Sequence, residues 1–357
     1  MVGVRDGRNE DALSEIVGFV LILALVVVAS TLYLLYVVPA EGREDEITHM
    51  NQVQDRFVSY KTSVDGLWMR SLAEFSATGT KGVSLSTSFD LGTGGGNTQS
   101  SGIFLSFMKP IGTAAKMRTQ LDSSTDPGRP TTERIGLTVD GNEQLAYMDG
   151  EGVVRDTRPM GSLGYYTDNY YWIQQNYFYK LGGVFLEQPG EGVSVKVAPP
   201  IAIYGVRSGT GEDAPIVPKI SISLINITDP SSTVGGTGPL RVETRLRESL
   251  SEPFHNDKVE NVTLLIKCPD DPNHIWPDAW RQVFVDAAMQ SDLDRQNLTV
   301  EALKNGQNAW IHIPAPDYVN NTVVLKIGHY GPDPGSKDVY FDLNEATLQV
   351  TFEYDEP

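Results

Sequence analysis

The sequence predicts an α+β fold: one long N-terminal helix followed by a mostly antiparallel, sandwich-like β-rich head. Two observations predict it. Residues 16–38 are apolar without a charge or a Pro, and residues 41–68 carry apolar side chains at spacings of three and four. From about residue 80 the spacing changes to two, and turn pairs such as Asp140-Gly141 punctuate it.

Residues 1–12 are polar and short, and they stop where the apolar run of a candidate transmembrane helix begins. About 20 apolar residues in a helix span the roughly 30 Å hydrocarbon core of a bilayer, and the stretch from Ile16 to Val38 is long enough. A helix apolar on every face has little use in a soluble domain. The competing reading is a cleaved secretory signal, whose apolar core is shorter and ends at small residues. Here the run ends in Tyr33, Tyr36 and Pro39, and the tyrosines fit an interfacial belt. Arg5 and Arg8 lie before the run and Arg43 after it, which favours a cytoplasmic N-terminus and an external C-terminal bulk.

Residues 39–70 continue as an amphipathic helix, with Ile47, Met50, Val53, Phe57, Tyr60, Val64 and Leu67 on one face. Pro39 is expected to bend or break the helix, and Gly42 to loosen the same place. A first β-rich unit is expected over 71–206. Its strands are 83–89, 103–107, 135–139, 145–148, 184–188, 192–197 and 201–206. Turns are expected at 140–141 and 149–152. Residues 207–217 are rich in Gly, Ser and Pro and read as a linker or seam. A second β-rich unit is expected over 218–357, with strands at 219–228, 242–246, 262–266, 309–313, 323–327, 339–343 and 347–352. Residues 231–238 read as a loop. One short helix is expected at 277–290, with Pro277 in its first turn and Asp278 at its positive end.

The net charge of −18 lacks the basic footprint that nucleic-acid binding requires. Cys268 is the sole cysteine, so neither an intramolecular disulfide nor a thiolate zinc site can form. The five histidines, His49, His255, His274, His312 and His329, show no metal-ligand spacing. HExxH and GxSxG are absent, and Gly92-Thr-Gly-Gly-Gly96 lacks the Lys-Ser/Thr ending of a phosphate loop. No catalytic residue and no cofactor is expected.

Three weaker signals remain. Asp270, Asp271 and Asn273 could hold Ca²⁺, although they do not match the twelve-residue Ca²⁺ loop; the other reading is a loop capping the following helix. Tyr170, Tyr171, Trp172, Tyr177 and Tyr179 could form a sugar-stacking surface, or else core and cross-strand pairs. Asn226, Asn261, Asn297 and Asn320 head Asn-x-Ser/Thr triplets and are glycosylation acceptors if the host glycosylates; Asn226 sits within an expected strand.

The segment Asp11-Ala-Leu-Ser-Glu-Ile-Val-Gly-Phe-Val-Leu-Ile-Leu21 resembles the class III signal of archaeal type IV pilins and pilin-like surface proteins. The match covers about residues 5–68, and Asn169 to Gln188 is similar to a segment of archaeal proteins that share this N-terminus. The resemblance implies cleavage by a membrane prepilin peptidase between Ala12 and Leu13. Ser14 and Glu15 then become the second and third residues of the mature chain. Asp11 departs from the family, which usually has Lys or Arg there. The resemblance further implies self-association through the N-terminal helix, driven by the pilus assembly machinery.

The leading expectation is a non-enzymatic pilin-like surface protein. It is anchored or polymerised through residues 13–38 and displays an external acidic head for filament assembly or adhesion. Its place is the cell membrane with an extracellular head, or an extracellular filament. The alternative is a membrane-tethered module that binds a glycan or envelope partner and does not polymerise. A surface hydrolase is the third reading, for which no acid–base pair stands out.

Overall fold

One helical rod organises the chain. The computed structural model describes residues 7–74, 84–93, 109–121, 130–145, 147–148, 154–209, 214–228, 231–251, 254–271, 273–293, 298–328 and 339–354. Helix α1 spans Gly7–Leu32 and α2 spans Val38–Glu74, joined by a π-helical turn at Tyr33–Val37. Proline has no N–H, and its ring crowds the carbonyl four residues back. The rod meets this demand by widening just before Pro39: the Val38 N–H bonds to the Tyr33 carbonyl, five residues back. Of the bend or break expected at Pro39 and Gly42, the break is corrected: the helix is unbroken and takes one wide turn there.

The head is strand-rich. Its first strands are β1 (Ser84–Leu91), β2 (Ala115–Gln120), β3 (Arg134–Val139) and β4 (Asn142–Glu143). Short pieces follow: β5 (Tyr147–Met148), β6 (Val154–Arg155) and β7 (Arg158–Pro159). A meander comes next, β8 (Ser162–Thr167), β9 (Asn176–Lys180), β10 (Gly183–Gln188) and β11 (Gly192–Val197). Then come β12 (Ile201–Arg207), β13 (Ile216–Ile227), β14 (Ser232–Gly236) and β15 (Gly238–Ser251). Strands β16 (Asp257–Val259) and β17 (Asn261–Lys267) precede helices α3 (Ile275–Met289) and α4 (Val300–Asn305). The last strands are β18 (Ile311–His312), β19 (Thr322–Gly328) and β20 (Val339–Tyr354).

Three large sheets result. The first has the order β1-β15-β20-β13-β12, with β16 also paired to β20. The second runs β11-β10-β9-β8-β2-β14, and the third β18-β19-β17-β3-β4 with β7 beside β3. Among the described residues every strand pairing is antiparallel except β13 with β20, which is parallel. Strands from both sides of residue 207 occur in all three sheets. Strands β12 and β13 pair directly as a hairpin, Ile201 opposite Ile222 through Arg207 opposite Ile216. The expected seam at 207–217 is thus a hairpin connection within one sheet, and the division into units 71–206 and 218–357 does not describe the sheets.

The core has two parts that share strands. In β9 and β10 the two faces serve different partners. Tyr177, Tyr179, Val184 and Leu186 pack with Phe57 and Tyr60 of α2, whereas Phe178 and Phe185 pack with Trp276 and Trp280 of α3. Strands β13 and β20 also contribute to both: Ile220 and Ile222 join the α3 side, Ile225 and Ile227 the α2 side. Alternation along a strand places successive side chains on opposite faces, which makes this double use feasible. One buried ion pair ties the second sheet to the third. Lys180 Nζ at the end of β9 lies 2.6 Å from Glu133 Oε1, just before β3. It also lies 3.5 Å from the Trp276 ring centroid and 4.8 Å from that of Phe178.

Other local differences have clear causes. Asp140 and Gly141 adopt positive φ (50° and 77°) and form the expected two-residue turn, but the return strand is β4 rather than 145–148. The loop expected at 231–238 contains β14, which pairs with β2 along an edge where small residues suffice. The two strands expected at 339–343 and 347–352 are one, β20. The expected strand at 103–107 and turn at 149–152 lie outside the described residues.

Candidate functional site

The exposed rod and its junction with the head form the most distinctive surface. From Ile16 to Val37 no residue is buried, and the large apolar side chains of this stretch face outward on all sides. The continuous helix from Ser14 to Arg70 has 57 residues, about 85 Å, and is long and apolar enough in its first part to cross a membrane.

Burial begins abruptly at Val38. The face of α2 turned to the head then carries Gly42, Glu46, His49, Met50, Val53, Phe57, Tyr60 and Val64. Spacings of three and four keep these residues on one stripe. Further along, Phe57 stacks on Tyr177 and Tyr60 meets Tyr179 edge-on, with centroids 5.9 and 5.2 Å apart. The Tyr60 hydroxyl bonds Thr244 Oγ1 at 2.8 Å, and the Tyr177 hydroxyl donates to Gln54 Oε1 at 3.1 Å. Burial raises the pKa of Tyr177 to about 12, so this donor stays protonated.

At the start of the stripe, a polar clamp replaces apolar packing. The buried Glu46 carboxylate accepts three backbone N–H groups, from Tyr170 at 2.8 Å, Tyr171 at 2.9 Å and Trp172 at 2.6 Å. Successive N–H groups of a bent loop make an anion cradle, and here the anion comes from the helix. Gly42 admits the Tyr171 ring: a Cβ at that position would lie 2.4 Å from Tyr171 Cδ2. The Arg43 guanidinium carbon sits 4.3 Å above the Trp172 ring. One turn on, His49 Nε2 and the Tyr165 hydroxyl are 2.9 Å apart. That hydroxyl donates to the Asp90 carbonyl and accepts from the Gly92 N–H, so the imidazole proton resides on His49 Nε2.

Burial lowers the His49 pKa below its ordinary 6.5, with Asp90 opposing in part. The neutral ring is the form the junction holds. Unfolded chains take up the proton first, so stability from His49 is full above about pH 6.5 and declines as pH falls through the lower folded value. Urea unfolding at about pH 7.5 and about pH 5 should show a smaller pH-dependent loss for His49→Gln than for the native chain. An equal loss in both would remove His49 from this role.

The five aromatic residues expected as a ligand surface do not form one. Tyr177 and Tyr179 are buried against α2, and Tyr171 and Trp172 clamp the helix; only Tyr170 is widely exposed. Asp270 and Asp271 are likewise committed. Asp271 accepts the Asn273 and Ile275 N–H groups and caps α3, while Asp270 accepts from Asn321 Nδ2. These contacts fit the capping reading. Among the described residues no group of three His, Cys, Asp or Glu is placed to hold a metal ion.

Of the glycosylation candidates, Asn261 and Asn320 are exposed. Asn226 is half-buried in β13, paired with β20, and its Oδ1 accepts the Gly161 N–H. Asn297 lies outside the described residues. Ala12, Leu13, Ser14 and Glu15 all lie in α1, and Ser14 and Glu15 are exposed. A cleft of about 690 Å³ flanks the junction, between Glu41, Asp45 and His49 of α2 and residues 109–112. Its histidine is already engaged with Tyr165. Comparison with family models, curated proteins and solved structures gives no match.

Sequence reading missed Glu46 and His49. The signal was present: both occupy the phase of the apolar stripe, four before and one before Met50. A carboxylate in that phase requires a buried partner.

Proposed function

We propose that this chain is a non-enzymatic, pilin-like surface protein. Its N-terminal helix holds it in a membrane or, after removal of a leader, in a helical filament core. The strand-rich acidic body is the external part. The observation that carries this reading is the abrupt division of one unbroken helix at Val38. From Ile16 to Val37 no residue is buried, and the stripe after it is packed. Such a surface needs either lipid or other apolar helices around it. The clamp at Glu46 supports a mechanical role, because it fixes the rod rigidly to the body instead of leaving a hinge. The net charge of −18 keeps neighbouring bodies soluble and mutually repelling.

Mass spectrometry of the native protein tests the proposal. A mature N-terminus at Leu13 is expected, with the protein in the membrane fraction or in filaments. A start beyond Val38 would sink it, since the released body would lack the helix. The tethered-module alternative keeps the anchor but loses its proposed aromatic surface, which the clamp and the core consume.

A further inference from the structure

The buried stripe of α2 begins at Val38, directly after the unburied run from Ile16 to Val37, and the helix is continuous there. A rod spanning a bilayer therefore places the head on the lipid surface with no tether between them. Among the described residues, the head loops 168–175 and 109–114 flank the helix just beyond this point. They touch each other: the Ile111 N–H donates to the Tyr171 hydroxyl at 3.2 Å, and Tyr171 lies on Gly42. Both loops expose apolar side chains. Ile111 is 62 % exposed, Tyr170 67 % and Ile173 47 %.

Tyr171 meets the helix at Gly42 and Tyr170 at Glu46, four and eight residues, about 6 and about 12 Å of helix, beyond Val38. The polar layer outside each face of the hydrocarbon is about 5–7 Å thick. Amphipathic aromatic residues favour that layer, and the Arg43–Trp172 pair adds a cation beside the phosphates. An acidic chain otherwise gains nothing from approaching an anionic leaflet.

We infer that Ile111, Tyr170 and Ile173 form a collar that seats the head in the lipid headgroup layer around the emerging helix. The inference rests on the membrane-held state of the proposed function. Its test separates the two. Ile111→Cys, Tyr170→Cys, Val319→Cys and Val26→Cys are made singly in the full chain. Cys268 is buried, so the added thiol takes a nitroxide label. Each protein is reconstituted into phosphatidylcholine–phosphatidylglycerol vesicles. Relaxation of the label by a water-soluble nickel chelate is then compared with relaxation by oxygen.

Val319, 91 % exposed in the turn beside α3, is the aqueous reference. The expected result is nickel access at 111 and 170 about threefold or more below that at 319, with Val26 reached by oxygen alone. Equal nickel access at 111, 170 and 319, with Val26 still lipid-embedded, would overturn the collar and leave the span intact. Nickel access at Val26 would overturn both.

Discussion

Replacing Lys180 with Met should destabilise the head by about 3–5 kcal/mol, measured by urea unfolding of the detergent-solubilised chain. Lys180 and Glu133 are both buried and 2.6 Å apart. Removing the cation leaves the Glu133 carboxylate in a site where Phe178 and Trp276 offer no replacement charge. Methionine fills most of the vacated volume, so the loss reflects charge rather than a cavity. The double variant Lys180→Met, Glu133→Gln removes both charges and should recover most of the stability. If the single variant costs under about 1 kcal/mol, the pair is not a coupling between the second and third sheets.

The second large effect concerns the clamp. Glu46→Ala should cost about 3 kcal/mol, because it removes a charged acceptor from three backbone donors in a partly buried loop. The effect should be local. Hydrogen exchange at Tyr170, Tyr171 and Trp172 should rise sharply, while β13 and β20 stay protected. Glu46→Gln retains one acceptor oxygen and should fall between the native chain and Glu46→Ala. Unchanged exchange at all three amides would show that the loop is held by Tyr171 and Trp172 packing alone.

Local pattern was readable where one residue's neighbours in sequence decide its state. The rod, the stripe from Met50 to Val64, and strands β3, β10, β11, β12 and β13 follow from spacing. Helix α3 follows from Pro277 and Asp278. What stayed hidden depends on distant partners. Strand β14 reads as a loop because Gly235 and Gly236 lower strand propensity, yet β2 supplies a ladder for it. The 207–217 segment looks like a linker because hairpin loops and linkers share Gly, Ser and Pro. The Tyr170-Tyr171-Trp172 run looks like a ligand platform because nothing near it reveals Glu46, which lies 124 to 126 residues away in sequence. The candidate site was therefore half legible: the exposed helix from composition, the clamp only from coordinates.

The parallel partnership of β13 and β20 has a consequence in time. Strand β20 lies between β15 and β13, and its Leu348 and Val350 complete the core on which α2 rests. During synthesis the rod emerges before the head. The first sheet cannot close until residues 339–354 have been made. Until then β13 and β15 wait with unpaired edges, the state most exposed to mispairing. In the membrane-held state proposed above, delivery of β20 thus precedes closure of the first sheet.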